Sequence, residues 1–229
     1  MTNEYVSRQQ IVEICKRIYE RGLVAANEGN VSVRLGADRI LCTPAGLSKG
    51  FLTPDQLVVT DMEGKKLGGK ERATSELRLH LAAYRARPDV MAVTHAHPPY
   101  ATAFAVAGIN LAQCVLPEVV VMLGRVVLAP YGTPGTEELP KTVESDLAAC
   151  DAFLLSNHGV VTLGRNLTEA FFRLETVEHY AHILHLARQL GSIQKLTGEQ
   201  VEKLNVQRKG LGLPPQRQCV DCGFCKLPK

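Results

Sequence analysis

The sequence predicts an α/β layered domain, and three observations carry that expectation. Short, apolar, partly β-branched runs such as VSVRL, RILCT and AFLLSN intermix with longer segments whose apolar residues recur at helical spacing. Turn signals such as LGAD, TPAG and MEGK separate the short runs, as between strands. With 229 residues, 45% of them hydrophobic, the chain is long enough for one large domain with a substantial core. Helices and strands mixed in this way bury their apolar faces by stacking in layers.

The elements follow in order. A helix is predicted from about Val6 to Arg21, because Ile11, Ile14, Cys15 and Ile18 share one face and Gly22 can stop it. VSVRL, RILCT and QLVVTD read as short strands. A second helix is expected from Ser75 to about Ala86, and MAVTH is the next strand. PYATAFAVAG reads as helix, VVLAP as strand, and EELPKTVESDLAAC as a helix with Pro140 near its start, where a missing N–H matters least. AFLLSN is another buried strand, and the longest helix is expected from about Thr168 to Leu190. Residues 1–210 are taken as one domain, and 211–229 as a cysteine-containing C-terminal tail rich in Gly, Pro and Lys. Repeats and low-complexity blocks are absent.

Composition narrows the functional class. The net charge of +3 is small and no basic run is long enough for a nucleic-acid footprint, so a small-molecule partner is expected. MTNEYVSRQQ has no apolar signal-type region and no apolar run approaches a bilayer span, so a soluble, unexported protein without a membrane partner is expected. Of the seven cysteines, Cys15, Cys42, Cys114 and Cys150 lie in apolar stretches, which suits buried reduced thiols and the cytoplasm.

VTHAHPPY sets two histidines two residues apart at the end of an apolar strand that Pro98 stops. Residues i and i+2 of a strand face one side, so the imidazoles of His95 and His97 can converge. His158 also follows a buried strand, Ala152 to Ser156, and precedes a glycine. Three neutral imidazoles with an open fourth position suit a catalytic zinc ion, and Glu76, at the predicted start of a helix, is the carboxylate best placed to share it. The loops NEGN (Asn27 to Asn30) and TPAGLSK (Thr43 to Lys49) carry glycines that let backbone approach a ligand, and Thr74 and Ser75 precede a helix. Together they suit a phosphate; singly, each is an ordinary turn or cap.

As a set, GNVSVR, TPAG, TSELRLHLAAYRARPD, THAH, APYGTPGTEEL and NHG resemble the class II aldolase and adducin family, most closely its L-fuculose-1-phosphate aldolase branch, across roughly Val6 to Leu190. The resemblance implies a single layered domain with a central, mostly antiparallel sheet flanked by helices. It implies that His95, His97 and His158 bind zinc, one ion per subunit, and that Glu76 both contacts the metal and acts as base. It implies that Asn30, Gly46, Thr74 and Ser75, with Asn27 beside them, cradle a substrate phosphate. A homotetramer with the site between subunits is implied too. The reaction so implied is cleavage of a ketose 1-phosphate to dihydroxyacetone phosphate and an aldehyde through an enediolate, with the metal as Lewis acid and the phosphate contacts orienting the reacting end.

The chain departs from the family pattern in two places. A tyrosine six residues before a glycine serves the aldehyde oxygen in the fuculose branch; counting back from Gly124, that position is Glu118. Methylthioribulose-1-phosphate dehydratases of the superfamily carry a glutamate acid there, which keeps dehydration open as an alternative, with sugar-phosphate epimerisation beside it. Retention of Glu76 favours an aldolase with Glu118 as proton donor, acting on a substrate such as a 5-deoxypentulose or methylthio sugar phosphate. The family's C-terminal tyrosine has no counterpart; instead the tail holds Cys219, Cys222 and Cys225, read either as a reduced tail or as three ligands of a second metal. Adducin heads share the fold as non-catalytic assembly modules, against which the surviving histidines and Glu76 argue.

The remaining chemistry-bearing residues read as structural. His179, His182 and His185 spread over a broad helical arc and are expected to pack or lie at an interface, with Glu175 and Glu178 as surface partners four residues earlier. His80, one turn after Glu76, is read either as a residue backing the metal site or, more commonly for such a position, as a helix-face histidine, and Tyr131 is expected to pack.

Overall fold

The computed structural model describes residues 3–213. Cys219, Cys222 and Cys225 lie outside the described residues.

Helix α1 (Glu4–Glu20) starts at Asn3, whose side chain accepts a hydrogen bond from the Tyr5 amide, and gives way to Gly22 at a φ of 67°. Its buried residues include Ile11, Ile14, Cys15 and Ile18, the face the spacing predicts. Each isoleucine so buried contributes about 1.5–3 kcal/mol. Four strands follow: β1 (Asn30–Gly36), β2 (Arg39–Cys42), β3 (Val58–Thr60) and β4 (Lys66–Gly68). Then come α2 (Leu77–Ala86), β5 (Ala92–Ala96), α3 (Pro99–Val106), β6 (Val126–Ala129) and α4 (Glu138–Leu147). The strands β7 (Ala152–Leu155) and β8 (Gly159–Gly164) and the helices α5 (Leu167–Leu190) and α6 (Gly198–Gly210) complete the described chain.

All eight strands form one sheet, in the order β4-β3-β2-β1-β5-β8-β7-β6. Every pairing is antiparallel except β6 with β7, so the expectation of a mostly antiparallel sheet holds. Helices α1, α3 and α5 cover one face, and α2 and α4 cover the other. Period-two alternation divides each central strand between the two layers. On β7, Ala152 and Leu154 join the α1/α3/α5 core while Phe153 and Leu155 join the α2/α4 core.

The same alternation builds a polar patch at one end of the α2 face. Val93 and His95 of β5 face α2, whereas the Thr94 hydroxyl turns the other way, to Thr162 at 2.6 Å and the Ala170 carbonyl of α5 at 3.3 Å. On β1, Val31 and Val33 pack toward α1. Asn30 and Ser32, facing α2, register against His95 and Val93. The centre of the sheet thus carries four consecutive apolar or polar choices whose parity decides which layer each one meets.

Several elements differ from the sequence expectation. Helix α2 starts at Leu77 rather than Ser75, because the Thr74 hydroxyl accepts from the Glu76 amide at 3.4 Å and the Thr74 carbonyl from Leu77 at 3.3 Å. That turn holds Ser75 and Glu76 outside the helix. GVVTLG was not anticipated as β8, yet it pairs with both β5 and β7. Helix α6 was also unforeseen: only Val201 and Arg208 are buried along it, so it lacks an apolar stripe, and a capping box of Thr197 and Gln200 marks its start. VVVML forms a π-helical turn, Val119–Leu123. Cys15, Cys42, Cys114 and Cys150 are buried, and burial pushes the thiols of Cys15 and Cys42 up to about 12. No helix among the described residues is long and apolar enough to cross a membrane.

Candidate metal centre

His95, His97 and His158 come together where the sequence placed them. His95 is the fourth residue of β5, His97 lies one residue beyond its end, and His158 occupies the turn joining β7 to β8. That turn closes with a hydrogen bond from the His158 amide to the Leu155 carbonyl at 3.0 Å and needs Asn157 at a φ of 56°, which asparagine tolerates better than most residues. Because β8 pairs beside β5, the turn delivers His158 next to the other two rings. One ring nitrogen from each histidine lies within 4.8 Å of the others. The three rings stand edge-on to one another, with centroids 4.7–5.0 Å apart.

Glu76 completes the cluster. Its Oε2 lies 3.0 Å from His95 Nε2 and its Oε1 lies 3.4 Å from His158 Nε2. Burial would raise the Glu76 pKa, but His95 and His158 outweigh it and hold the carboxyl far below its usual range. For His95, burial works downward and Glu76 more than offsets it, so the net shift is upward. His97 is pushed down to about 4 by burial and by His95 and His158 beside it.

The donor set fits a divalent cation. His95 Nδ1 stands 2.9 Å from the Val160 carbonyl and His97 Nδ1 stands 3.3 Å from Glu28, so both rings carry their proton on Nδ1 and turn the Nε2 lone pair inward. Those two Nε2 atoms are 3.1 Å apart. Two bare nitrogens at that distance repel, and either a proton on one of them or a cation held by both removes the repulsion. His158 Nδ1 is buried and meets no hydrogen-bond partner among the described residues. Glu28 is a residue the sequence reading passed over, since nothing in NEGN distinguishes a turn glutamate from one that orients a histidine.

Gly159 allows the rings to meet. A Cβ there would lie 2.5 Å from the Ala96 carbonyl, 2.6 Å from His97 Cδ2 and 3.3 Å from His95 Cε1. Gly29, at a φ of 72°, packs likewise against the His95 carbonyl, 2.7 Å from where its Cβ would be.

The predicted phosphate residues sit on three loops tied together beside this cluster. The Thr43 hydroxyl accepts from the Val31 amide at 3.1 Å, the Thr43 carbonyl accepts from the Thr74 amide at 3.1 Å, and Pro44 bridges to Ala73. Gly46 takes a φ of 74° and is exposed, as are Asn27 and Ser75, whereas Thr74 is buried. Lys49, also unremarked in the sequence reading, is buried beneath the loops. Its Nζ donates to the carbonyls of Asn27 at 3.1 Å and Leu47 at 2.6 Å, and burial lowers its pKa against the opposing pull of Cys15 and Glu76. Exposed N–H groups and hydroxyls above a buried ammonium suit an anion.

Asn30 is buried, and its amide joins a polar chain. Nδ2 lies 3.3 Å from Glu76 Oε2, and Oδ1 lies 2.6 Å from His80 Nε2. His80 Nδ1 lies 2.7 Å from the Ser32 hydroxyl, which lies 2.8 Å from that of Tyr84. Burial pushes the His80 imidazole down to about 3, so it is neutral at working pH.

Glu118 lies on a wall that the three clustered histidines do not share. It precedes the π-helical turn and lines a cavity of about 840 Å³ with Arg21, Phe172, Arg173, Glu175 and His179, a wall that includes none of the three clustered histidines. The other helical histidines are structural: His182 stacks on Tyr100 at 3.8 Å and His185 pairs with Gln189 at 2.7 Å. Glu175 and Glu178 are not the surface partners expected. Glu175 pairs with Arg21 at 2.7 Å, and Glu178 caps α3 by accepting from the Tyr100 and Ala101 amides at 3.0 and 2.8 Å. Tyr131 is 59% exposed rather than packed.

Comparison with known proteins places these observations in context. Residues 9–185 match the family described as the Class II Aldolase and Adducin N-terminal domain. An L-fuculose phosphate aldolase of Methanococcus maripaludis strain S2 is 36% identical over 181 residues, covering 79% of this chain and 97% of its own. A 3-oxo-tetronate 4-phosphate decarboxylase of Haemophilus influenzae is 34% identical over 210 residues, covering 90% of this chain and 99% of its own. The crystal structure of YgbL from Escherichia coli superposes with a TM-score of 0.82 at 32% identity, covering 88% of this chain and 98% of that one.

Proposed function

The chain belongs to the class II aldolase and adducin family, an assignment that makes it a metal-dependent lyase, and from that premise we propose that it reversibly cleaves a ketose 1-phosphate. The products are dihydroxyacetone phosphate and an aldehyde, and the substrate is L-fuculose 1-phosphate or a related deoxy- or methylthio-pentulose phosphate. The observation that carries this reading is the convergence of His95, His97, His158 and Glu76 beside loops suited to a phosphate. Zinc is the proposed ion, held by the three histidines and Glu76. When bound, such an ion supplies Lewis-acid stabilisation for negative charge developing on the substrate's oxygens.

The chain's own groups account for the proton transfers. In cleavage, the hydroxyl of the future aldehyde loses its proton, the adjoining carbon–carbon bond breaks, and its electron pair passes into the enediolate of dihydroxyacetone phosphate. Glu76 then delivers a proton to that carbon; in the reverse direction it removes one. Glu118 is proposed to exchange the proton of the aldehyde oxygen. Asn30, Gly46, Thr74 and Ser75, with Asn27, hold the phosphate and fix the reacting end. We propose a homotetramer with the site between copies, which would bring Glu118, on a cavity that none of the three clustered histidines lines, to a neighbouring copy's site. We place the protein in the cytoplasm and end its catalytic domain with α6 at residue 210.

Decarboxylation is a second reading, favoured by the longer span shared with the Haemophilus relative. Loss of carbon dioxide from a 3-oxo-tetronate 4-phosphate leaves the same enediolate, with no aldehyde oxygen to serve.

A panel of ketose 1-phosphates and 3-oxo-tetronate 4-phosphate, scored for aldehyde against carbon dioxide, separates the two. The aldolase reading expects dihydroxyacetone phosphate together with an aldehyde. It also expects Glu76→Gln to stop solvent exchange of the dihydroxyacetone phosphate proton while the metal stays bound; retained exchange rules out Glu76 as the base.

A further inference from the structure

We infer that Asn30, His80, Ser32 and Tyr84 form a one-directional hydrogen-bond relay that positions Glu76, with His80 fixed as its Nε2–H tautomer. Its bearing on catalysis rests on Glu76 being the base. The direction of the relay rests on geometry alone.

The assignment starts from the Asn30 amide, whose Nδ2 donor lies 3.3 Å from Glu76 Oε2. Asn30 Oδ1 then faces His80 at 2.6 Å, and an acceptor there requires His80 Nε2 to carry the proton. A neutral imidazole with Nε2–H has a bare Nδ1, which accepts from the Ser32 hydroxyl at 2.7 Å. With its proton spent on His80, the Ser32 oxygen accepts from the Tyr84 hydroxyl at 2.8 Å. The placement of one amide therefore sets the orientation of the three groups beyond it.

Burial makes that order binding. Asn30 is 5% exposed, Tyr84 1%, and Ser32 and His80 are fully buried, so none of them can turn to solvent for another partner. The frame that holds them is rigid as well. Asn30 and Ser32 are alternate residues of β1, and His80 and Tyr84 are one turn apart on α2, so the two pairs face each other across a strand–helix contact. A flipped Asn30 amide would set its oxygen against Glu76 and leave His80 facing a donor, two faults from one rotation. The relay thus anchors Glu76 through Oε2, the carboxylate oxygen that His95 Nε2 also meets at 3.0 Å. His80 touches no reacting atom and is a positioning residue.

Two measurements test the relay. In metal-free full-length protein labelled with ¹⁵N-histidine, long-range ¹H–¹⁵N correlation at pH 7 is expected to show His80 with a protonated Nε2 and a bare Nδ1. A protonated Nδ1, or an imidazolium, would overturn the assignment. In zinc-loaded protein, His80→Leu is expected to slow dihydroxyacetone phosphate proton exchange by about 10- to 100-fold, with zinc content and KM unchanged. His80→Gln, whose amide nitrogen replaces Nε2–H, is expected to recover most of that loss. A leucine variant as fast as wild type, or a glutamine variant no better than leucine, removes the positioning role. Should the wild type fail to exchange at all, the aldolase reading falls, and the tautomer alone decides the relay.

Discussion

Gly159 and His97 meet so closely that a single added carbon has nowhere to go: a Cβ on Gly159 would lie 2.6 Å from His97 Cδ2 and 2.5 Å from the Ala96 carbonyl. Backbone cannot yield as a flexible side chain can. Gly159→Ala is therefore expected to displace His97 from the cluster and to destabilise the fold by about 1–3 kcal/mol. Metal content per chain and urea unfolding check the two effects separately. Full metal occupancy at wild-type stability would contradict the packing described here.

Lys49 ties the Asn27 loop to the Leu47 loop through two backbone carbonyls. Replacing it with methionine keeps the bulk and strands both acceptors, each at a cost of about 1–3 kcal/mol if no water reaches it. Lys49→Met is also expected to weaken binding of inorganic phosphate, because the ammonium beneath the cradle is gone. Calorimetric titration with phosphate reads this directly, and Lys49→Arg is expected to fall between the two.

Acid should weaken the metal-free fold over a defined window. The unfolded chain protonates His80 near the ordinary value of 6.5, while the folded chain resists protonation down to about 3. Between those values the unfolded state binds the extra proton, so stability is full above pH 6.5 and falls as pH drops. The slope from His80 is up to about 1.4 kcal/mol per pH unit. His97, lowered to about 4, adds a loss of the same sign. Glu76, lowered from 4.5, adds its own loss only below that pH, and His95, shifted upward, has the opposite sign, its contribution being present below 6.5 and lost as pH rises above it. Urea unfolding of chelator-treated protein from pH 7 to pH 4.5 should show the decline, and His80→Gln should flatten it.

Glu118→Gln is expected to bind metal normally and to lose turnover. In the proposed assembly, with the site between copies, Glu118 would serve the site of a neighbouring copy, since none of the three clustered histidines lines its cavity. Mixing Glu118→Gln subunits with Glu76→Gln subunits should then restore a fraction of the activity that neither variant has alone. Full turnover by Glu118→Gln homomers would remove it from the mechanism.

The histidine cluster was legible in the sequence because strand geometry is local. Two residues apart on a strand fixes a common face, and NHG after an apolar run fixes a turn, so His95, His97 and His158 needed only one long-range fact, the pairing of β5 with β8. That pairing was not foreseen, since GVVTLG is a short apolar run whose status depends on having neighbours on both sides. Glu28, Lys49 and the His80 relay were illegible for a related reason. A turn glutamate, a lysine in a glycine-rich loop and a histidine on a helix are each common, and their roles arise only from what other segments bring within 3.5 Å. Helix α6 escaped because polar propensity and a capping box, rather than an apolar stripe, define it.

The strand order has a consequence for how the protein is made. β5 sits between β1, delivered long before it, and β8, delivered long after. Synthesis proceeds from the N-terminus, so one flank of β5 can be paired only after the chain through Gly164 has been made. The third imidazole comes on the turn just before that strand, so the three-histidine cluster belongs to the completed sheet.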